Sequence, residues 1–226
     1  MTYKAVFFDL DGTLVDSVPD LARATNAMLA ELDLPQRSME ALTSYVGKGS
    51  DMLIKRALAG DIQPNEPDPI LFEQAKHLFK KYYHLYNGQQ SIVYSGVFEG
   101  LTRLKEMGLS LAVVTNKPQE FTLILLEQTK LQPFFKVITS GDTCSRKKPY
   151  PDQLLYTCKQ LALSPHEVVF VGDSINDSQA ADAANMDFLV LPYGYNEGNS
   201  VQTLKVNAIV QDINQVADWI NQRVST

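Results

Sequence analysis

At 226 residues, with 45% apolar and 20% charged side chains, the chain is too rich in core-forming residues to be disordered, and its length suits one main domain carrying a smaller one. A formal net charge of −6, with no basic run beyond Arg146-Lys147-Lys148, argues against a nucleic-acid binder but leaves open a locally positive site for an anion. The two cysteines, Cys144 and Cys158, have neither the spacing nor the neighbours of a zinc site or a disulfide framework. No apolar run approaches the ~20 residues of a membrane span, and the short run after Lys4 is too brief for a signal peptide. A soluble, cytoplasmic protein with no membrane partner is expected.

The first strong pattern is Val6-Phe7-Phe8-Asp9-Leu10-Asp11-Gly12-Thr13-Leu14-Val15. It opens as a continuous apolar run, the mark of a strand buried on both faces of a parallel sheet. Strand alternation would aim Asp9 and Asp11 the same way, off the carboxyl end where open α/β sheets bind ligands. Two carboxylates that close repel unless a cation or a shared proton relieves them, so a divalent metal is implied, with one carboxylate free for chemistry.

Ser17 reads as the N-cap of a helix, with Pro19 in its first turn, an acid (Asp20) three residues on, and Leu21, Thr25, Met28 and Leu32 on one face. Ser38 and Ser50 read as caps of a second and a third helical segment; Phe72, Ala75, Phe79, Tyr82 and Tyr86 stripe a fourth. The aromatic stripe, which includes Tyr83, reads as packing between helices. Residues 17–87 carry no convincing strand and form a helical block inserted directly after strand one. Within it, Val46-Gly47-Lys48-Gly49-Ser50 is either a helix–helix turn or a loop facing the site; its glycine spacing matches no nucleotide-binding fingerprint. The stretch Pro64 to Pro69 is a loop inside the block.

From Ile92 the pattern becomes strand–helix alternation. A helix over 96–107 stops at Gly108, a buried strand spans 109–115, and Pro118 opens the next helix. A strand at 135–139, a helix at 151–161 and an apolar strand at 168–172 follow. An alanine-rich helix is expected at 178–184, strands at 188–191 and 208–210, and a closing helix at 213–220. Such alternation gives a doubly wound parallel sheet, a Rossmann-like α/β core, with helices on both faces.

Four polar groups fall where strands end: Asp9 with Asp11, Thr115-Asn116, Lys147-Lys148-Pro149, and Asp173-Ser174-Ile175-Asn176-Asp177. Loops at one edge of a parallel sheet converge, and together these residues form a phosphoryl-transfer set. A carboxylate nucleophile forms an acyl phosphate, and a neighbouring acid protonates the leaving oxygen and later deprotonates water. A hydroxyl and an ammonium bind the phosphoryl oxygens, and Mg²⁺ held by carboxylates offsets their repulsion of an anionic substrate.

Asp9-Leu-Asp-Gly-Thr13, Thr115, Lys148 before Pro149 and Gly172-Asp173-Ser-Ile-Asn-Asp177 resemble, in order, the four motifs of the haloacid dehalogenase-like superfamily, and the resemblance spans essentially the whole chain. The helical block directly after the first motif is similar to the subclass with an α-helical cap. Residues 1–15 and 92–226 would then be the catalytic core and residues 16–91 the cap. The resemblance implies Asp9 as nucleophile, Asp11 as general acid and base, and Mg²⁺ held by Asp9, the Asp11 backbone carbonyl and Asp173. Asp177 would act through a metal-bound water or by orienting its neighbours. Thr115 and the Asn116 backbone would hold the phosphoryl group, and Lys148, with Lys147 as the adjacent competitor, would pair with that group and with Asp9.

The softer matches, Asp16-Ser-Val-Pro-Asp-Leu-Ala22, Val46-Gly-Lys-Gly49, Arg56 and Tyr193-Gly-Tyr-Asn-Glu-Gly198, are similar to bacterial phosphoglycolate phosphatases. They imply hydrolysis of a small phosphorylated metabolite, 2-phosphoglycolate, by a monomer or weak homodimer. Lys48, or backbone N–H groups of the cap loop, would meet the substrate's carboxylate. Arg56 reads equally as a solvated helix residue, and Asn176 as a cap of the alanine-rich helix. A capped pyrophosphatase, a sugar-phosphate mutase and a phospho-accepting signalling receiver share much of this residue set. The receiver is opposed by the long helical insertion.

Overall fold

The computed structural model describes residues 3–224; residues 1, 2, 225 and 226, the outer ends of the expected core segments, lie outside the described residues. The opening apolar run is strand β1 (Ala5–Phe8), buried throughout. Val6 and Phe8 enter one apolar cluster while Ala5 and Phe7 enter another on the opposite face, and for that reason the run has no polar interruption. A two-residue strand β2 (Val15–Asp16) leads into helices α1 (Val18–Glu31), α2 (Met39–Tyr45), α3 (Ser50–Ala59) and α4 (Pro69–Tyr86). Strand β3 (Ile92–Val93) then pairs antiparallel with β2, so a small ribbon ties together the two passages between helical block and sheet. The remaining elements are α5 (Val97–Glu106), β4 (Ser110–Val114), α6 (Gln119–Gln128), β5 (Val137–Thr139), α7 (Asp152–Leu161), β6 (Val168–Gly172), α8 (Ile175–Ala183), β7 (Asp187–Val190), β8 (Ala208–Ile209) and α9 (Ile213–Val224).

Among the described residues the main sheet has six parallel strands in the order β5-β4-β1-β6-β7-β8. The chain builds outward from β1 in both directions, so the loops after β4, β1 and β6 meet at the topological switch point. Phe8 stands in register with Val113 on one side and Val171 on the other. Asp9, Thr115 and Asp173 therefore leave the sheet within two residues of a common level.

The helical block has its own core, in which Met28, Leu29, Leu42, Ile54, Phe79 and Tyr83 are buried, with α1 packed along α4. Ser38 caps α2 through the Ala41 N–H at 3.2 Å. The expected cap at Ser17 is not made: its hydroxyl donates instead to Asp11 Oδ1 at 2.5 Å. Asp20 does not serve the start of α1 either. Fully buried, it accepts from the N–H groups of Gly88, Gln90 and Ser91 at 3.0, 3.0 and 2.9 Å and from the Ser91 hydroxyl at 2.6 Å. One carboxylate thus clasps the exit of the helical block to its entry. Helix α8 begins at Ile175, three residues before its alanine-rich part, because Asp177 in its first turn reaches back to the Ser174 N–H at 3.1 Å. Asn176 is accordingly inside the helix and does not cap it.

Replacing Asp20 by Ala strands several buried donors, so we expect a loss of about 2–3 kcal/mol, lowering the Tm by roughly 4–12 °C for a chain of this size. Thermal unfolding followed by circular dichroism measures it, and an unchanged Tm would refute the clasp.

Candidate active site

The two acids of the first motif are brought together by a loop and not by strand alternation. The strand ends at Phe8, and the Asp9 N–H donates to the Val171 carbonyl at 2.9 Å. The Leu10 carbonyl then accepts from the N–H groups of Thr13, Leu14 and Val15 at 3.3, 3.0 and 3.1 Å, closing a tight turn. Gly12 sits in this turn at φ +87°, where a Cβ would lie 2.4 Å from Asp173 Oδ2. Both the positive φ and the close approach demand glycine. Thr13 uses its hydroxyl to donate to Asp173 Oδ1 at 2.9 Å.

Charge at the switch point is organised around Lys148. Its buried ammonium lies 2.9 Å from Asp9 Oδ1 and 2.7 Å from Asp177 Oδ1. The Lys148 N–H donates to Asn116 Oδ1 and to Gln153 Oε1, both at 3.0 Å, and its carbonyl accepts from Asn116 Nδ2 at 2.9 Å. Gln153 Nε2 in turn donates to the Thr115 carbonyl at 2.8 Å, which links the second and third motifs through a residue the sequence reading missed. Lys147 does not reach Asp9; its ammonium lies beside Gly49 of the helical block. Thr115 is buried and lines the cavity above the strand ends, and its Oγ1 accepts from the Lys117 N–H at 3.2 Å.

Three carboxylates, Asp9, Asp173 and Asp177, offer oxygen atoms that lie within 4.8 Å of one another. Burial raises the Asp9 pKa to about 7; Lys148 pulls it down, but Asp177 and Asp11 add to the rise. Asp173 is likewise pushed well above the ordinary carboxylate range, first by burial and then by Asp177 and Asp9. Burial works against the Lys148 charge, yet the two carboxylates outweigh it and its pKa stands above that of an ordinary lysine. Asp177 is committed to hydrogen bonds, since its Oδ2 accepts from the N–H groups of Asp173 and Ser174 at 3.2 and 3.1 Å and from the Ser174 hydroxyl at 2.6 Å. A set of buried carboxylate oxygens crowded against their own repulsion suits a hard divalent cation such as Mg²⁺. Gly12 and Gly194 make room for the Asp173 side chain itself, because a Cβ on Gly194 would stand 2.3 Å from that carboxylate.

Asp11 faces a residue that the motif reading did not single out. The buried Lys117 ammonium donates to Asp11 Oδ1 and Oδ2 at 2.9 and 3.1 Å and to the Tyr83 hydroxyl at 2.6 Å. Its signal in the sequence was only its position, two residues past Thr115. Tyr83 and Phe79 belong to the aromatic stripe read as helix packing; they are buried in that core and also line the cavity with Asp9, Asp11 and Thr115. The cavity measures ≈ 40 Å³, a few times the ~10–15 Å³ that one water requires.

Lys48 and Arg56 lie elsewhere. The Lys48 ammonium is 3.0 Å and the Arg56 guanidinium 2.6 Å from Glu197 Oε1, and these three side chains border a separate surface hollow. Arg56 is buried and also donates to the carbonyls of Ile62 and Tyr45 at 2.9 and 3.0 Å, so it is a structural residue and not a solvated one.

Residues 6–191 match the profile of the haloacid dehalogenase-like hydrolases. The chain is 44% identical over 214 residues to the phosphoglycolate phosphatase of Thiobacillus denitrificans, covering 95% of this chain and 94% of that one. It is 44% identical over 219 residues to the phosphoglycolate phosphatase of Nitrosospira multiformis, with 97% and 96% covered. The crystal structure of a predicted phosphoglycolate phosphatase from Haemophilus somnus superposes with a TM-score of 0.89 at 33% identity, covering 100% of this chain and 99% of that one.

The raised pKa values set a pH dependence. Between the ordinary carboxylate range and about pH 7 the folded protein holds a proton on Asp9 that the unfolded chain has released, and Asp173, also raised by burial, acts in the same direction. In chelator-treated protein their contribution to stability is therefore complete below about pH 4 and is lost as pH rises through the folded-state values. A divalent cation seated on these carboxylates would bind their ionised form, so added Mg²⁺ is expected to raise the Tm more at pH 8 than at pH 5. Scanning calorimetry with and without Mg²⁺ decides this; an equal gain at both pH values would contradict it.

Proposed function

The chain belongs to the haloacid dehalogenase-like hydrolase family, and on that footing we propose that it is a Mg²⁺-dependent phosphatase that hydrolyses 2-phosphoglycolate to glycolate and phosphate through an aspartyl-phosphate. The observation that carries the reading is the pair of differently furnished acids on one cavity wall: Asp9 backed by Lys148 at 2.9 Å, and Asp11 held by Lys117 and Ser17. A nucleophile gains from a fixed cationic neighbour that also attracts the phosphoryl oxygens. A general acid needs a separate position facing the leaving group.

In the first step an Asp9 carboxylate oxygen attacks phosphorus, the bond from phosphorus to the ester oxygen breaks, and Asp11 gives its proton to that departing oxygen. In the second step water attacks the aspartyl-phosphate, Asp11 takes the water proton, and the acyl-phosphate bond breaks to restore Asp9 and release phosphate. Lys148, the Thr115 hydroxyl and the Asn116 backbone hold the phosphoryl oxygens throughout. Asp9, the Asp11 carbonyl and Asp173 are the residues that would hold Mg²⁺, which neutralises charge on the incoming phosphoryl group. Asp177 orients Lys148 and the start of α8. Residues 16–91 act as a cap over a core formed by 1–15 and 92–226, and cap closure screens the site from bulk solvent while admitting the single water that Asp11 activates.

No helix among the described residues is long and apolar enough to cross a membrane.

Asp9→Asn is expected to lower turnover at least roughly a thousandfold while leaving the Tm within a few degrees; retained activity would overturn the mechanism. Mg²⁺-dependent phosphate release measured on 2-phosphoglycolate, glucose 1-phosphate, pyrophosphate, a nucleotide monophosphate and p-nitrophenyl phosphate is expected to favour the first by orders of magnitude. A flat profile would keep the chemistry and discard this substrate.

A further inference from the structure

Lys117 is the one cationic side chain among the described residues that line the central cavity. Leu21, Val46, Leu53, Phe79 and Phe121 make much of the remaining wall apolar, with Ser50 and Tyr83 among its uncharged polar members. An anionic group that enters there without a cationic partner is stripped of water at considerable cost. Building on the phosphoglycolate reading, we propose that Lys117 is the specificity-determining residue of the site, binding the substrate's carboxylate.

The connectivity of the substrate supplies the argument. The ester oxygen must meet Asp11, which protonates it as it leaves. In a phosphoglycolate the carboxylate carbon is only two bonds beyond that oxygen, so the carboxylate must fall beside Asp11 itself. The cation found there is Lys117, 2.9 Å from Asp11 Oδ1. Lys48 and Arg56 are engaged by Glu197 at a hollow bordered by neither Asp9 nor Asp11, out of reach of so short a molecule. The basic residue of the glycine-rich cap loop, the obvious candidate from the sequence, is thereby displaced by one from the core.

Lys117 is suited to a change of partner. Its three hydrogens are shared among the two Asp11 oxygens and the Tyr83 hydroxyl, and an ammonium on a flexible stem turns without losing its charge. A carboxylate arriving beside Asp11 takes one of these hydrogens, and Tyr83 on α4 keeps the ammonium anchored to the helical block. A phosphomonoester without a carboxylate leaves Lys117 on Asp11 and gains nothing from it. Selectivity for an acidic leaving group then follows from a single buried charge.

The test compares kcat/KM for 2-phosphoglycolate and ethyl phosphate, which share the ester but differ in the carboxylate. The wild type is expected to prefer 2-phosphoglycolate. Lys117→Met should lower that preference about 10–100-fold, the range for loss of a charged hydrogen bond, chiefly through KM for the acidic substrate. Lys117→Gln, which keeps a donor for Asp11, should show the same loss of preference and covers the case in which the methionine variant does not fold. Lys117→Arg should retain most of the preference and Lys48→Met all of it. An undiminished preference in Lys117→Gln, or equal losses on both substrates, would overturn the assignment while leaving the phosphoglycolate reading intact. A wild type indifferent to the carboxylate would instead remove that reading, and this inference with it.

Discussion

Everything at the switch point depends on one buried ammonium. Lys148 stands between Asp9 and Asp177 at 2.9 and 2.7 Å, and without it the three clustered carboxylates would face one another with no protein cation on Asp9. Burying an ion costs several kcal/mol unless geometry and hydrogen bonding compensate. The protein meets that requirement by fixing the lysine's backbone: Asn116 brackets its N–H and its carbonyl, and Gln153 accepts a second bond from the same N–H. The loops after β1, β4 and β6 are thus tied to a single point of charge balance.

The loop after β7 carries this arrangement to the helical block. The Tyr195 N–H donates to Asp173 at 2.5 Å, while its hydroxyl donates to Asp16 and accepts from the Ser17 N–H at 3.0 Å, at the passage into α1. Asn196 Oδ1 accepts from the Ile175 N–H at 2.8 Å, and Glu197 holds Lys48 and Arg56. Three consecutive residues therefore touch the acid cluster, the linker and the block above it. Asn116 Nδ2, which donates to the Gly47 carbonyl at 3.1 Å, and Lys117, which donates to Tyr83, add contacts of the same kind from the β4 loop. The seating of the helical block and the geometry of the acids are parts of one polar network, and such networks stiffen when every member is satisfied.

The reading of the first helix start erred by assigning polar residues to their nearest neighbours. Ser17 and Asp20 have the spacing of a helix start, yet one hydroxyl serves Asp11 and the other side chain clasps residues 88–91. Lys48 sits in a suggestive glycine-rich loop but pairs with Glu197, 149 positions away in the chain. The Phe79–Tyr83 stripe is both helix packing and cavity wall, because a helix face that closes over a site must do both. Helical spacing does not tell these uses apart.

The sequence by itself determined the alternation that makes a doubly wound sheet, the helical insertion after the first strand, and the residues that gather at the sheet's edge. These follow from local periodicity and from the rule that parallel strands deliver their loops to one side. The motif resemblance had already named Lys148 as the partner of Asp9, and the structure has that contact; tertiary structure alone decided that Asp11 pairs with Lys117 and that Gln153 braces the β4 loop. Those contacts join residues that are 139, 106 and 38 positions apart, and no local pattern encodes them. Their partners were chosen by burial, where a charge without an opposite charge within reach would unfold the site.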